Sequence, residues 1–228
     1  MRLSVVIPCL NEAEGIAGFL TALQPLRMRG AELIVADGGS TDGTLELARP
    51  LADQALSAPR GRAAQMNHGA AVAAGDVLLF LHADCRLPDE ADVHVLRRLA
   101  ATDRVWGRFD VQLAGRHPML RVIASAMNTR SRWTGIATGD QGLFVRRNTF
   151  EAAGRYPDIP LMEDVALCKQ LKRFGPPLCL PERIIASARR WEKHGVAATI
   201  LLMWRLRLAY SLGADPRRLA ARYAPHRS

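Results

Sequence analysis

The stretch Leu78 to Pro88, LLFLHADCRLP, combines a hydrophobic segment with a polar end. Its four leading apolar residues are typical of a β-strand that is covered on both faces. His82 and Asp84 follow this strand, and Pro88 ends regular structure. Polar residues at a strand end can simply meet water. The carboxyl edge of a parallel sheet is also where open α/β folds bind ligands, so this stretch is a candidate site.

Strand-like and helix-like segments alternate along the first 90 residues. The predicted strands are LSVVIPC (3–9), AELIVADGG (31–39), ADQALSAP (52–59) and DVLLFLHAD (76–84), with predicted helices at 12–26, 44–51 and 61–75. This alternation predicts an α/β fold, a mostly parallel, Rossmann-like sheet flanked by helices. We expect Ser40 to cap the second helix. Right-handed crossovers would bring four loops to one edge of the sheet, namely 8–12, 37–40, 59–62 and 82–84.

The second half of the chain continues with a less regular pattern. Residues Arg104 to Leu113 alternate between apolar and polar side chains and predict a strand, which could run antiparallel at the edge of the sheet. Another strand is predicted at Gly142 to Arg146, after a polar loop. A later helix opens with Glu163 and Asp164. Carboxylates are also common at helix starts because they offset the helix dipole.

Most of the positive charge lies near the carboxyl end. The 228 residues carry a net charge of +9, and residues 183–228 hold ten Lys or Arg against two acidic residues. A nucleic acid, an anionic membrane surface or a phosphate-bearing substrate could each explain this basic segment, as could a solvated surface. We expect one domain over residues 1–190 and a basic helical C-terminal tail over residues 191–228 that packs on it.

The tail contains an apolar run at 196–213 that Arg205 and Arg207 interrupt, so we expect no membrane-spanning helix. A helix packed on the domain is expected, with peripheral membrane contact as the alternative. The amino terminus does not resemble a signal peptide, and the four cysteines show no CxxC spacing. A cytoplasmic location is therefore expected, with the inner face of the cell membrane as the alternative.

Two segments suggest recognition of a nucleotide. In VADGGSTDGT (35–44), Asp37 precedes two glycines, so its carboxylate could accept a hydrogen bond from a base while a ligand approaches the backbone closely. Arg62, Gln65 and Asn67 follow Gly61 at a strand-to-helix junction, where the guanidinium of Arg62 could neutralise a diphosphate. An ordinary turn and a capping arginine are the alternatives. Neither a GxGxxG fingerprint nor a P-loop lysine is present, which argues against dinucleotide and P-loop chemistry.

Five motifs resemble, in order, those of the family 2 glycosyltransferases, inverting enzymes of the GT-A fold that use nucleotide sugars. They are VVIPCLNE (5–12), VADGGSTDGT (35–44), LHADC (81–85), MEDVAL (162–167) and ARRW (188–191). The resemblance extends from Ser4 to Trp191. The runs GRAAQMN, GDQG and RRWEKHG are further similar to a bacterial subgroup labelled as arsenosugar-biosynthesis glycosyltransferases.

The resemblance implies a donor site and a cation site. In the family, the carboxylate that matches Asp37 contacts the base, whereas the next carboxylate of that motif is Gly38 here. The metal-binding Asp-x-Asp of the family corresponds to His82 and Asp84. We expect Asp84 to bind Mg²⁺ or Mn²⁺. His82 could ligate Mn²⁺, donate a hydrogen bond to a phosphate or ribose, or simply end the strand, and we favour a supporting role because imidazole suits Mg²⁺ poorly. His194 is a candidate third contact to the metal, or else a surface histidine.

The remaining site residues also follow from the resemblance. The expected donor contacts are Pro8, Asn11, Glu12, Asp37, Arg62, Asn67, His82, Asp84, Arg190 and Trp191. The expected acceptor contacts are Asp140, Gln141 and Glu163. Asp164 matches the catalytic base of the family.

The predicted function is transfer of a sugar from a nucleotide-diphosphate sugar, with a UDP-sugar favoured, to an acceptor hydroxyl with inversion. The acceptor is expected to be a small molecule or a lipid-linked molecule. One alternative is a sugar-nucleotide nucleotidyltransferase, but the glycine-rich, basic signature expected near its amino terminus is missing. The other is a basic nucleic-acid-binding protein, but the chain has no helix-turn-helix, zinc or RNA-binding signature. We therefore expect no nucleic acid partner.

Overall fold

The computed structural model describes residues 1–223, apart from the side chain of Arg190. The strands are β1 (Leu3–Cys9), β2 (Glu32–Asp37), β3 (Gln54–Ser57), β4 (Val77–Phe80), β5 (Cys85–Arg86), β6 (Trp106–Leu113), β7 (Leu143–Arg146) and β8 (Leu178–Ala186). The helices are α1 (Ala13–Met28), α2 (Thr44–Ala48), α3 (Arg62–Val72), α4 (Ala91–Ala100), α5 (Met119–Thr134), α6 (Arg147–Ala152), α7 (Glu163–Leu171), α8 (Arg189–His194), α9 (Val196–Ser211) and α10 (Pro216–Tyr223).

All of these strands belong to one sheet, in the order β3-β2-β1-β4-β7-β6-β8-β5. Strands β3, β2, β1 and β4 form a parallel block, and β6 and β8 run in the same direction, whereas β7 and β5 run against them. The predicted α/β fold with a mostly parallel sheet is confirmed. The prediction of an edge position for residues 104–113 is wrong. β6 lies inside the sheet, because β7 pairs with one side of it and β8 with the other.

Two hydrophobic cores cover the opposite faces of the sheet, as the apolar run in β4 requires. Val77 and Leu79 point into a core formed with α1, α4 and α5, whereas Leu78 and Phe80 point into a core formed with α3, α6 and α7. These four side chains are at most 2% exposed. The strand ends at Phe80, so the polar residues that follow stand at its carboxyl end.

The first two helices differ in detail from the prediction. α1 begins at Ala13, with Glu12 at the N-cap position, and ends at Met28. The prediction that Ser40 caps the second helix is wrong. α2 begins only at Thr44, after Gly43, whose φ is +88°. The Ser40 hydroxyl donates to the Asp37 carboxylate within the loop and is therefore not engaged with the helix.

The tail is helical and packs on the start of α7. Met162, which precedes α7, forms a small apolar cluster with Leu206 of α9 and with Leu219 and Tyr223 of α10. Each of these four residues is at most 5% exposed. Among residues 1–223, none of the helices is long and apolar enough to span a membrane. The last part of the predicted tail, residues 224–228, lies outside the described residues.

Strand β6 has no room for a side chain at Gly107, which allows a sharp test of the packing. A Cβ atom there would overlap the carbonyl oxygen of Leu178 and the ring of Phe144. We expect Gly107→Ala to lower the free energy of unfolding by about 1–3 kcal/mol, as overpacking of a core does. The matched control is Gly18→Ala in the exposed middle of α1, where nothing lies within 4 Å. It should raise stability by about 0.5–1 kcal/mol. Urea unfolding measures both, and equal effects would contradict this packing.

Candidate functional site

The loops after β1 and β2 hold each other at the carboxyl edge of the sheet. The Asn11 side chain accepts a hydrogen bond from the Thr41 backbone N–H at 3.0 Å, and the Asn11 N–H donates to the Ser40 hydroxyl at 2.8 Å. Asn11 has a φ of +54°, a left-handed conformation that asparagine tolerates better than most residues. The Glu12 N–H donates to the Thr44 hydroxyl at 2.8 Å. These contacts give the two loops one fixed arrangement.

Asp37 is buried at the end of β2, and its own loop orients its carboxylate. Oδ2 accepts hydrogen bonds from the N–H groups of Gly39 and Ser40 at 3.0 and 2.8 Å, and Oδ1 accepts one from the Ser40 hydroxyl. Because Asp37 is only 2% exposed, this network compensates the cost of burying its polar atoms. The carboxylate therefore has a defined direction before any ligand binds.

The Gln65 amide packs against Gly38, the second residue of this motif. The Gln65 Nε2 atom donates to the carbonyl oxygens of Cys9 and Ala36 at 2.6 and 3.0 Å. A Cβ atom on Gly38 would lie only 2.9 Å from the same nitrogen. The Gln65 amide thus occupies the space that a side chain at position 38 would need. The sequence pointed to Gln65 only through its place after Gly61, and its contact with the Gly38 region has no local signal.

A narrow cavity of about 80 Å³ lies between the end of β4, the start of α7 and the tail. Its charged lining consists of Arg62, His82, Asp140, Glu163, Asp164 and Arg207. The structure therefore brings together residues predicted for the donor, the acceptor and the catalytic base. Met203, Arg207 and Tyr223 of the tail form one wall of this cavity. The sequence did not indicate that Met203, Arg207 and Tyr223 reach this site.

Asp164 is the second residue of α7, and two backbone groups hold its carboxylate. Oδ1 accepts the N–H of Val165 at 2.7 Å, and Oδ2 accepts the N–H of Gly139 at 3.0 Å. Burial raises the pKa of Asp164 to about 6, and the adjacent Glu163 carboxylate contributes to the rise. The two backbone hydrogen bonds oppose the shift. The result is a carboxylate that is ionised at neutral pH and more basic than an ordinary aspartate.

Two arginines balance the negative charge of this cavity. Burial by itself would lower the pKa of Arg62, but the carboxylates around it, chiefly Glu163 and Asp140, raise it overall. Arg130 of α5 is a residue that the sequence analysis missed. Its pKa is lowered by burial, an effect that the Asp164 charge partly offsets. The Arg130 Nε and Nη2 atoms are buried without a hydrogen-bond partner.

His82, Cys85 and Asp140 form a compact group beside the cavity. Their candidate ligand atoms lie within 4.8 Å of one another, and the His82 Nδ1 atom is 3.4 Å from Asp140 Oδ1. Imidazole, thiol and carboxylate groups are all ligands of divalent cations, so these residues fit such an ion. Within residues 1–223, this is the one group of three or more His, Cys, Asp or Glu residues arranged in this way.

Asp84 stands at the edge of this group and faces a second groove. Its carboxylate is exposed, and its Oδ1 atom lies 3.7 Å from Cys85 Sγ. Burial raises the pKa of Glu12, and the Asp84 charge raises it further.

Asp84 and Arg189 both line a groove of about 910 Å³ between α1 and residues 83–90. The predictions of Asp84 and His194 as metal ligands stay predictions, since neither residue belongs to the compact group.

Two predicted contacts, Asn67 and Gln141, make hydrogen bonds within the protein. Asn67 donates to the Tyr156 carbonyl at 2.8 Å and accepts the Tyr156 N–H at 3.1 Å. The Gln141 side chain is fully buried and donates to the Ser131 hydroxyl at 3.1 Å. Both amides therefore have partners within the protein, and their predicted contacts with donor and acceptor stay predictions.

Two more residues of the predicted donor site, Pro8 and Trp191, contact other parts of the fold, and their predicted roles stay predictions. Pro8 is buried within β1, where it pairs with Ala36 of β2. Trp191 of α8 packs against the core of α1, α4 and α5. The side chain of Arg190 lies outside the described part of the chain.

Comparison with known proteins agrees with this architecture. Residues 4–154 match the sequence profile of Glycosyl transferase family 2. The succinoglycan biosynthesis protein ExoA of Rhizobium meliloti is 34% identical over 191 residues, which cover 75% of this chain and 58% of ExoA.

Solved structures show the same fold. The structure of S. aureus TarS 1-349 in complex with UDP has a TM-score of 0.68 at 17% identity, covering 82% of this chain and 60% of that one. Mannosyltransferase PcManGT from Pyrobaculum calidifontis, in complex with GDP-Man and Mn²⁺, has a TM-score of 0.62 at 20% identity, covering 91% and 61%. The chain spans about three-fifths of the length of these proteins. By the extent of the profile match and the shared GT-A fold, the chain belongs to glycosyl transferase family 2.

Proposed function

We propose that this chain transfers a sugar from a nucleotide-diphosphate sugar to an acceptor hydroxyl, with inversion at the anomeric carbon. The observation that carries the proposal is the Asp164 carboxylate, whose pKa is raised to about 6 in a cavity that Arg62 also lines. A perturbed carboxylate beside a cation is typical of a catalytic site. Assignment to the arsenosugar-biosynthesis subgroup stays a prediction.

The donor would lie across the loops at the carboxyl edge of the sheet. Asp37 would accept a hydrogen bond from the base, and its carboxylate is already oriented for that purpose by Gly39 and Ser40. Arg62 would neutralise the diphosphate. A UDP-sugar is the favoured donor, which is supported by UDP in the TarS structure, whereas PcManGT holds GDP-Man.

A divalent cation, which the sequence predicts to be Mg²⁺ or Mn²⁺, would assist the reaction by neutralising charge that develops on the diphosphate. The choice of ion depends on the donor set of the site. His82 and Asp140 would hold it, with Asp84 at the edge of the site. The Mn²⁺ in the PcManGT structure supports this proposal.

Asp164 would serve as the catalytic base. The acceptor oxygen forms its bond to the anomeric carbon while the bond from that carbon to the diphosphate breaks. The hydroxyl proton passes to a carboxylate oxygen of Asp164. A pKa of about 6 suits this role, because the group is largely ionised at neutral pH yet basic enough to accept a proton.

Replacement of Asp164 tests the proposed base. We expect Asp164→Asn to lower kcat by about 10²–10⁴-fold, because the amide cannot accept the proton. Donor binding, measured by calorimetry, should be retained. Glu163→Gln removes a negative charge that raises the pKa of Asp164. The acidic limb of its kcat/KM profile should therefore move to lower pH. Near wild-type turnover of Asp164→Asn, with loss of turnover in Glu163→Gln, would reassign the base to Glu163.

Nucleotide binding is tested independently of turnover. Thermal unfolding with UDP, GDP and their sugars, in the presence of Mn²⁺, should show a rise in Tm for the true donor class, since a ligand of the native state stabilises it. Asp37→Ala should weaken that binding by about 1.5–3 kcal/mol through loss of a hydrogen bond to a charged group. Asp42→Ala is the control, because the Asp42 carboxylate accepts hydrogen bonds from the N–H groups of Ala13 and Thr44, the first residues of α1 and α2, and thus only holds the loops. Equal losses of nucleotide affinity in the two variants would mean that Asp37 acts only by holding the loop in place.

The tail supports a lipid-linked acceptor presented at an anionic membrane. Helix α9 exposes Leu201, Trp204 and Leu208 along one face, beside the exposed Arg205, and Leu212 just after the helix is also exposed. An exposed apolar face with adjacent basic residues is typical of a helix that lies at a membrane surface. The exposed Arg217, Arg218 and Arg222 of α10 add positive charge to the same tail.

Vesicle binding measures this contact directly. We expect the protein to bind vesicles that contain anionic phospholipid, and Trp204→Ser to weaken binding about tenfold or more through lost apolar burial. Trp133 is 87% exposed on α5 and provides the matched control, Trp133→Ser, which should bind normally. Equal binding by the two variants, or no preference for anionic lipid, would contradict a membrane role for α9.

A further inference from the structure

The cation site contains the sulfur atom of Cys85, a residue that lies just beyond the three positions of the Asp-x-Asp motif. Cys85 is the first residue of β5, where it pairs with Ala186 of β8 and is 2% exposed. This pairing fixes the backbone that carries the thiol. The Cys85 Sγ atom belongs to the compact group with His82 and Asp140, in which all candidate ligand atoms lie within 4.8 Å of one another.

The spacing of these atoms suits one small cation. Two ligand atoms that bind Zn²⁺ tetrahedrally at about 2.0–2.3 Å lie roughly 3.3–3.8 Å apart. The His82 Nδ1 and Asp140 Oδ1 atoms are 3.4 Å apart, so this pair already has the separation required. The third atom, Cys85 Sγ, lies within 4.8 Å of both and would have to move closer when the ion binds. Three protein ligands leave a fourth position for an oxygen of the substrate, as in catalytic zinc sites.

The position of His82 is fixed by close packing against the backbone. A Cβ atom on Gly139 would overlap the His82 ring, so only glycine fits between the ring and the residues that follow. Asp140, the next residue, carries the carboxylate of the group. The imidazole and the carboxylate therefore approach each other from two loops whose contact is tight.

The chemistry of the three donors discriminates between cations. Mg²⁺ prefers oxygen ligands in octahedral geometry, and an Asp-x-Asp motif supplies them. Here the first position of that motif is a histidine, and the residue after its second position is a cysteine. Nitrogen and thiolate ligands select Zn²⁺ and similar borderline ions. We infer that Cys85 is a thiolate ligand of this cation site, together with His82 and Asp140, and that the site binds Zn²⁺ in preference to Mg²⁺.

This inference takes only one element from the proposed function, the position of the cation beside the donor. When the ion binds, the Cys85 S–H proton is released to solvent and the sulfur–metal bond forms, with no change in oxidation state. Asp140, a proposed ligand of the ion, directly follows Gly139, and the Gly139 N–H donates a hydrogen bond to Asp164. Metal binding and orientation of the proposed base would thus depend on one short segment.

Cobalt spectroscopy of the reduced full chain, without nucleotide, tests the assignment. Co²⁺ bound to a thiolate shows a sulfur-to-cobalt charge-transfer band in the near ultraviolet. We expect this band in the wild type, its loss in Cys85→Ser, and its retention in Cys179→Ser, a half-buried cysteine of β8. Zn²⁺ should abolish the band at equimolar concentration, whereas Mg²⁺ in large excess should not.

A second variant keeps the test decisive if Cys85→Ser does not fold, as circular dichroism would reveal. Asp140→Asn alters a partly exposed residue, and it should weaken Co²⁺ and Zn²⁺ binding by about 10–100-fold. Absence of the band in the wild type, its persistence in Cys85→Ser, or displacement by Mg²⁺ would overturn the inference. Because no nucleotide is present, these outcomes are separate from a failure of donor binding, which the thermal unfolding measurements detect.

Discussion

The backbone N–H of Gly139 donates to the Asp164 carboxylate, and the arrangement of the site depends on this hydrogen bond. The same glycine lies against the His82 ring so closely that no side chain fits at its position. One residue therefore positions the proposed base and packs against the proposed cation site. Asp140, which follows Gly139, adds a carboxylate to both the cavity and the cation group. Any shift of this segment changes both sites together.

The site concentrates negative charge, and its cations compensate for it. Glu163 and Asp140 together raise the pKa of Arg62, and Glu163 raises that of Asp164. A diphosphate would add further negative charge to this region. The arginines that line the cavity, Arg62 and Arg207, therefore have a clear physical role in admitting such a ligand. The divalent cation in the proposed site would act in the same direction.

The tail changes the character of the site. Its apolar contact with Met162, through Leu206, Leu219 and Tyr223, holds α9 and α10 over the first turn of α7. The resulting cavity of about 80 Å³ is smaller than the roughly 300–1,000 Å³ of typical ligand pockets. Burial by this arrangement of elements is the largest cause of the raised pKa of Asp164. Met203, Arg207 and Tyr223 of the tail line the same cavity as Asp164.

The sequence alone determined the alternation of strands and helices, the apolar run of β4 and the polar residues that end it. These features are local, because periodicity and strand length depend on neighbouring residues. It also predicted Asp164 through a motif that lies within six residues. The sequence wrongly predicted Ser40 as a helix cap and residues 104–113 as an edge strand of the sheet. Neither the Asp37–Ser40 hydrogen bond nor the parallel pairing of β6 with β8 has a local signal in the sequence.

Only the tertiary structure decided the rest of the site. It placed Gln65 over Gly38, Arg130 near Asp164, and Tyr223 in the wall of the cavity. These residues are separated along the chain by tens of positions, and their side chains meet because eight strands share one sheet. The pKa of a carboxylate depends on burial and on neighbouring charges in space. The sequence could therefore name Asp164, whereas its basicity is a property of the folded chain.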